Sequence, residues 1–583
     1  MKPKVKVLSL ALSMILLFTM GFAQSPEIVE QRTDSVVHPG EDLIEQQSDE
    51  DPTAENSEDF DFTVSLRSRL IRREQPAAGY SNGYYSGSAD KLYERCLYRI
   101  GEYVAGGFLM EKDAGESKIY SFTTMNISFQ DVCPVVRKLV FGDYRIESGQ
   151  GLTLWSGRGF LKGADVVTPL RRKPRGIVSA LSSDEFHFFR GAGTEITWRS
   201  LTTVLFFSSM RRSAVLDDSG DIISFNENGY YRTTRELQQL NNTDEKVIGG
   251  RFIYRLPFKG VLGLTFLSTK YSRGFAASDN VQNTNGAAVD FSCSMQRISL
   301  CGELAHTNNR SAGIVGVFLH PHKNFNIVMS YRFYPDKYLP VRTLPFGEWG
   351  SGERGFYCGF TAEPWRSVAL SVYYDQFEKI KGGDFSTEGN DFLINVKIPL
   401  HSRLSITAQY RRKMSEYTGY HNDPGMLQKR STRLNCRQKF RITAEHKVSS
   451  YLSLRARLEE NFFSNGVEVE GERGFLFYHD ITVKAPKNWL FSVRITYFRS
   501  FSRETVPYEL ERDLDGVLTQ TMLTGEGNRF YLLAGYDAAG WLKISGKYSV
   551  VQRDDVLKIG SGHDQLPSNR DSRISVQVDI LLQ

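Results

Sequence analysis

The stretch GDYRIESGQGLTLWSGRGF, from Gly142 to Phe160, holds five glycines, one tryptophan and four charges in nineteen residues. Three chemistries fit such a composition. A phosphate cradle needs glycines at G-x-G-x-x-G between a strand and a helix. Gly157, Gly159 and Gly163 give G-x-G-x-x-x-G instead, with no βαβ unit around them. A hydrolytic triad can be drawn from Ser148 or Ser156, His187 and Asp143, but ten histidines and many serines in 583 residues make that selection cheap. No H-E-x-x-H accompanies it. The third chemistry is electrostatic. Glu111, Asp113, Asp143, Arg145, Glu147 and Arg190 are charges set into otherwise alternating segments, where they would pair across a water-filled interior or act as a filter of opposed charges.

The elements that position these residues decide between the three. The chain opens with MKPKVKVLSLALSMILLFTMGFAQS: three lysines, an apolar run from Val7 to Phe22, and a small-x-Ala ending at Gly21 and Ala23. This reads as a secretory signal over residues 1–23, with no cysteine after it to carry a lipid. Beyond it no apolar run approaches the ~20 residues of a spanning helix. Residues 24–60 hold twelve acids against Arg32 alone and read as a disordered periplasmic tail. Without leader and tail, 68 basic and 55 acidic residues remain, about +13.

From residue 61 the periodicity is two. Trp489, Phe491, Val493, Ile495 and Tyr497 alternate with Ser492, Arg494 and Thr496, and comparable segments recur to the C-terminus. Their lengths exceed those of ordinary strands and match the ~9–11 residues of a tilted membrane-spanning strand. Tight turns at 199–201, 257–260, 322–324, 364–365, 400–402, 448–450 and 485–488 alternate with long polar loops at 148–184, 214–245, 273–287, 335–353, 414–431, 502–525 and 554–570. No 40–50-residue repeat suggests a propeller. The reading is all-β: a large transmembrane antiparallel β-barrel over 61–583, of about 24 strands within a range of 22 to 26, with inward-folded loops and the tight turns in the periplasm. Tags near Asn280, Gly419 and Asp513 are then expected outside the cell, and tags near Pro257, Pro364 and Pro486 inside. Arg at Phe491 or Val493 would face lipid, whereas Arg at Thr496 would be tolerated.

Three loop features follow. Gly149, Gly151, Leu152, Leu154, Trp155, Gly157, Gly159 and Phe160 are too apolar for an exposed loop and are expected to fold inward as a constriction, with Trp155 as anchor. The connection 214–245 is the second candidate filler. Thr233 and Glu236 have capping-box spacing at the start of a loop helix. Cys96, Cys133, Cys293, Cys301, Cys358 and Cys436 form no metal pattern. Cys293 and Cys301 are left as free thiols or a cross-hairpin bond.

EKDAGE (111–116), FGDYRIESGQGLTLWSGRGFLKGADVV (141–167), DEFHFFRGAG (184–193), GYYRTTRELQQLNNTDEKVIGGR (229–251) and FGEWGSGERGFYCGF (346–360) carry a resemblance. They are similar to a family of exported Bacteroidota proteins in which a helix-hairpin-helix region, like that of competence DNA-binding proteins, precedes an outer-membrane β-barrel. The resemblance implies the barrel over about 61–583 and a link to DNA uptake. In this chain the acidic tail stands in place of the hairpins, and acids repel phosphates, so nucleic acid is not an expected partner.

The sequence therefore implies a channel or translocation pore for a polar solute or polymer in the outer membrane of a Gram-negative-type envelope, and not an enzyme. The rival readings are a non-conducting interaction barrel and a DNA-uptake-associated barrel. No cofactor or metal is expected. Expected partners are outer-membrane lipid, the barrel-assembly machinery, and envelope proteins docking on residues 24–60.

Overall fold

Trp489–Ser500 shows how alternation becomes a wall. Ser492, Arg494, Thr496 and Phe498 are buried on one face, while Trp489, Ile495 and Tyr497 are exposed on the other. In a computed structural model describing residues 62–583 except 156–161, 277–281, 339–341, 366, 381–386, 422–428 and 466–470, this pattern repeats around a closed antiparallel barrel. Twenty-four strands form the wall, and a short twenty-fifth, Gly176–Ser179, joins the sheet from a loop. Each wall strand pairs with the next, and the last, Arg570–Leu582, closes on the first, Phe62–Arg73, from Val64 opposite Leu582 to Arg73 opposite Arg573. Closure leaves no open edge, which is the condition for strands to cross lipid.

The outer face is apolar: Leu205, Phe207, Ile248, Phe266, Leu304 and Phe356 are all exposed there. Tyr103, Trp198, Phe258, Trp365, Tyr451 and Trp541 stand exposed at the tight-turn end, as an interfacial girdle does. No helix among the described residues is long and apolar enough to cross a membrane. The barrel crosses with strands.

Tight turns and long loops lie at opposite ends, as expected. The loop end has one exception: Thr307 joins Arg310 through Asn308 and Asn309, both at positive φ, the geometry that matches a twisted hairpin. The cysteine question is closed by register. Ser292 faces Cys301 and Cys293 faces Leu300, so the two thiols point to opposite faces, and both are free. The topology expectation needs one correction. Asp513 is not at the surface, because the loop that carries it is folded into the lumen and the carboxylate pairs with Lys547. Gly419 lies within the tall strand Leu404–His421, and Asn280, like residues 1–61, lies outside the described residues.

Candidate functional site in the barrel lumen

Of the residues between the strands Val136–Glu147 and Phe189–Trp198, the described ones, 148–155 and 162–188, enter the barrel. Leu152, Val166 and Leu170 pack with Ile314, Phe318 and Val328 of the far wall, and Leu154 packs with Tyr144, Ile146 and Phe206 of the near wall. A segment touching both walls crosses the lumen. Its backbone polar groups, shielded from water, need partners. Glu303, from the strand Ile298–Thr307, accepts from Gln150 N at 2.6 Å, Leu152 N at 3.0 Å and Thr153 Oγ1 at 3.0 Å. Tyr338 and Tyr357 donate their hydroxyls to the carbonyls of Leu152 and Val166. Gly149 has φ 53°, and a Cβ there would stand 2.6 Å from the Glu303 carboxyl, so the cradle requires glycine.

Trp155 is buried. Its amide donates to the Arg342 carbonyl at 2.9 Å, and the Arg172 guanidinium lies 4.9 Å above its ring. Burial pushes that guanidinium down to about 10. Gly151 is at φ 83° beside the same Arg172. Gly157, Gly159 and Phe160 lie outside the described residues. Lys162 is fully buried, 2.8 Å from both Glu348 and Asp375 and 3.7 Å from Asp391. Burial opposes its charge, but Asp375, Glu348 and Asp391 outweigh it and hold the ammonium above its ordinary range.

A second insertion was not read from the sequence. Residues 501–524 carry the hairpin Tyr508–Glu511 and Thr519–Met522 down the lumen. Glu509 accepts from Thr496 Oγ1 at 2.6 Å and lies 3.3 Å from Arg494. Glu511 is 2.5 Å from Arg529 and 2.8 Å from Lys547. Burial works against the Glu511 charge, but Arg529 and Lys547 hold its carboxyl at about 2. Asp515 reaches Lys543, second residue of the strand Leu542–Arg553, so the hairpin tip nears the tight-turn end. Its acids look like those of any polar external loop; only the register that points Arg494, Arg529 and Lys547 inward would have flagged a complement.

The connection 213–242, the other expected filler, lies instead over the loop-end mouth. Its Arg232 carbonyl accepts from Ser86 N, and its Arg232 pairs with Glu236 and approaches Asp564. Thr233 and Glu236 form a reciprocal capping box on the helix Thr234–Gln239.

The six charges do not form one cluster. Glu111 and Asp113 share Lys91. Arg145 reaches Ser182 and Asp184, and Glu147 pairs with Arg175. Asp143 and Arg190 pair with each other, and they are not lumen residues: they alternate with inward Tyr144 and Phe189, which places them on the outer face. There the wall changes course. Only five residue pairs join Phe122–Gln130 to Val136–Glu147, against eight or more at the other junctions. Above Gly142, at φ 95°, Gly176–Ser179 takes the neighbouring strand's place.

Ser148, His187 and Asp143 are not assembled into a triad, and Ser156 lies outside the described residues. Ser148 Oγ faces the Leu154 carbonyl, His187 Nδ1 sits 3.2 Å from Asp184, and Asp143 is held by Arg190. Gly79 to Gly83 spell G-x-S-x-G, but Ser81 is exposed at the end of the four-residue helix Ala78–Ser81, not on a strand-to-helix elbow. Among the described residues no group of three His, Cys, Asp or Glu is arranged to hold a metal ion.

The insertions fill the lumen unevenly. Across the middle of the strands from Asn283–Met295 to Ala369–Lys379, inner-face residues such as Cys301, Phe318, Val328 and Tyr373 are buried with Leu152, Val166 and Leu170 of the first insertion, while Ser292 and Ser294 toward the tight-turn end are exposed. From Thr387–His401 to Glu472–Ala485 the middle of the inner face carries closed ion pairs: Arg411 with Asp391, Arg441 with Glu459, and Arg494 with Asp480. Toward the tight-turn end of that sector Asn395, Thr407, Gln409, Ser453, Arg455 and Thr482 are only partly covered. A polar, partly water-accessible stretch of wall therefore lies between those ion pairs and the tight turns.

No protein-family model and no curated protein matches the sequence. Among solved structures, the chain is similar to the siderophore receptor PirA from Pseudomonas aeruginosa, at TM-score 0.42 and 6% identity over 91% of this chain and 82% of that one. It is also similar to the FrpB iron transporter from Neisseria meningitidis, at 0.41 and 10% over 90% and 82%. The copper transporter OprC matches at 0.39 and 9% over 89% and 80%. At TM-scores below 0.5 these likenesses decide nothing about this chain; its own wall and lumen do.

Proposed function

We propose that the protein is an outer-membrane channel that passes polar solutes along the sector bounded by the strands Thr387–His401 and Glu472–Ala485, with residues 148–188 as the internal constriction. The observation that carries the reading is the uneven filling of the lumen. One sector is packed across its middle by apolar groups, whereas the other carries ion pairs there, with only partly covered polar groups toward its tight-turn end. A barrel of more than twenty strands is too wide for wall side chains to fill, and a partial plug sets its bore. The outer-membrane setting is supported by the closed barrel, its apolar exterior and its aromatic girdle.

Purified protein in planar bilayers tests the reading. A steady ohmic conductance is expected. Silent bilayers containing correctly folded barrel, together with stable co-purification of envelope proteins, would instead support a fixed interaction barrel.

A further inference from the structure

Resting on that channel reading, we infer that the open sector selects for anionic solutes, because its tight-turn half presents three lysines, Lys397, Lys447 and Lys484, that have no carboxylate within ion-pair distance among the described residues. Register places them. Lys397 lies opposite Thr407, Thr407 opposite Thr443, and Thr443 opposite Arg457. Lys447 lies opposite Ser453, Ser453 opposite Thr482, and Lys484 follows Thr482 on the same face. These are the inward positions, because they continue the alternation set by buried Asp391, Arg411, Arg441, Glu459 and Asp480.

On this half the inner face of the five strands therefore carries Lys397, Lys447, Arg455, Arg457 and Lys484 against Glu445. Arg455 already bonds Glu445 through Nε at 2.7 Å. Lys397, Lys447 and Lys484 are exposed, and among the described residues none of them has a carboxylate within ion-pair distance. Farther up, every buried acid of the sector is matched: Asp391 by Arg411, Glu459 by Arg441 and Asp480 by Arg494. The inserted loops add acids at the loop end and in the middle, where Glu348 pairs with Lys413 and Glu504 with Arg437. None of these pairings reaches the three lysines.

The charges cancel along most of the sector and remain positive at its tight-turn end. Unpaired charges of one sign on low-dielectric walls focus their field into the passage and raise the local concentration of the opposite ion. The solutes favoured are small polar molecules bearing carboxylate or phosphate.

The test is the reversal potential of the wild-type protein in planar bilayers under a potassium chloride gradient. A severalfold preference for chloride over potassium is expected. The triple variant Lys397→Glu, Lys447→Glu, Lys484→Glu should reverse the preference, and Lys→Gln at the same three positions should reduce it. Lys323→Glu, in the turn before Phe325–Tyr334, should leave it unchanged. A conducting wild type with no preference, or a preference for potassium, overturns anion selection and leaves the channel standing. An equal shift in Lys323→Glu also overturns it, because the rim as a whole would then set the sign. Absence of conductance overturns both readings.

Discussion

Arg190 lays its guanidinium across the outer wall onto Asp143, with Nε–Oδ1 at 2.7 Å and Nη2–Oδ2 at 2.9 Å, and the pair closes the place where the wall strands Phe122–Gln130 and Val136–Glu147 part. The upper end of Phe122–Gln130 has lost its backbone partner there. Its Met125 amide donates to Asp143 Oδ2 at 3.0 Å, and its Thr123 carbonyl accepts from Arg190 Nη2 at 2.8 Å. Behind them Thr124 Oγ1 and Asn126 Nδ2 both donate to the Ala180 carbonyl. Two side chains and one loop carbonyl stand in for a missing stretch of ladder.

Removing either partner should therefore open the seam. Asp143 is fully buried, and breaking a buried pair from one side costs about 3–5 kcal/mol. Asp143→Ala should lower the free energy of unfolding in detergent by an amount of that order. Arg190 is partly exposed, so Arg190→Ala should cost less, while still leaving the carboxylate unmatched. Equal stability of Asp143→Ala and wild type would show that the seam is held by the sheet alone.

Deleting residues 152–166 should raise single-channel conductance and sensitivity to bulky antibiotics in a barrel that still assembles, since the wall strands pair independently of the insertion. Lys162→Met should act in the same direction. It leaves Asp375 and Glu348 without the buried ammonium that satisfies them, so more frequent openings are expected in bilayer recordings. Unchanged conductance in both variants would remove residues 148–188 as the constriction.

Arginine on the lipid face should impair assembly by about 2–4 kcal/mol near the bilayer midplane. Val493 and Ile495, mid-strand and outward, should show the full effect. Phe491, which stacks on Trp489 near the tight-turn end, should show less. Thr496 is the correction: it lies on the lumen face as read, but it is buried against Glu509, so Arg at this position should disrupt the second insertion instead of being tolerated. Thr407, inward and only partly covered, is the lumen position expected to accept it. Folding yield measured by heat-modifiable gel migration separates these cases.

Glu185, in the first insertion, has its carboxyl pushed up to about 9, by burial first and then by Glu116, Asp113 and Glu111, with Lys91 opposing. Below the ordinary carboxyl range both folded and unfolded chains carry the proton. Above it the unfolded chain releases a proton that the folded one keeps, so stability falls as pH rises and levels off only once the folded carboxyl ionises near 9. The thermal midpoint of the wild type should therefore decline from just above the ordinary carboxyl range, through neutrality, up to about pH 9. Glu185→Gln should flatten the decline; an unchanged profile in the variant would assign it elsewhere.

Local pattern carried the wall. Two-residue alternation in segments such as Trp489–Ser500 and Leu542–Arg553 names the lipid face and the strand ends, because each side chain's face follows from its position along one strand. The capping box at Thr233 and Glu236 is legible for the same reason, being a three-residue relationship. Gly149 to Trp155 announced burial by being apolar where a loop should be polar, since apolar groups in a connection between wet-ended strands need a surface to cover.

What the sequence by itself determined is therefore a closed antiparallel wall with one apolar face, and a first insertion too greasy to stay outside. Only the tertiary structure decided which charges meet. Lys162 finds Asp375 more than two hundred residues away, and Glu509 and Glu511 are lumen groups only because Arg494, Arg529 and Lys547 on separate strands converge on them. Asp143 belongs to an outer seam and not to the lumen because it follows Phe141 on the outward face with no shift of register, where Arg190, on another strand, pairs with it. Ion pairs across a barrel depend on shear and on where loops return, and both are properties of the closed sheet, which no single segment encodes.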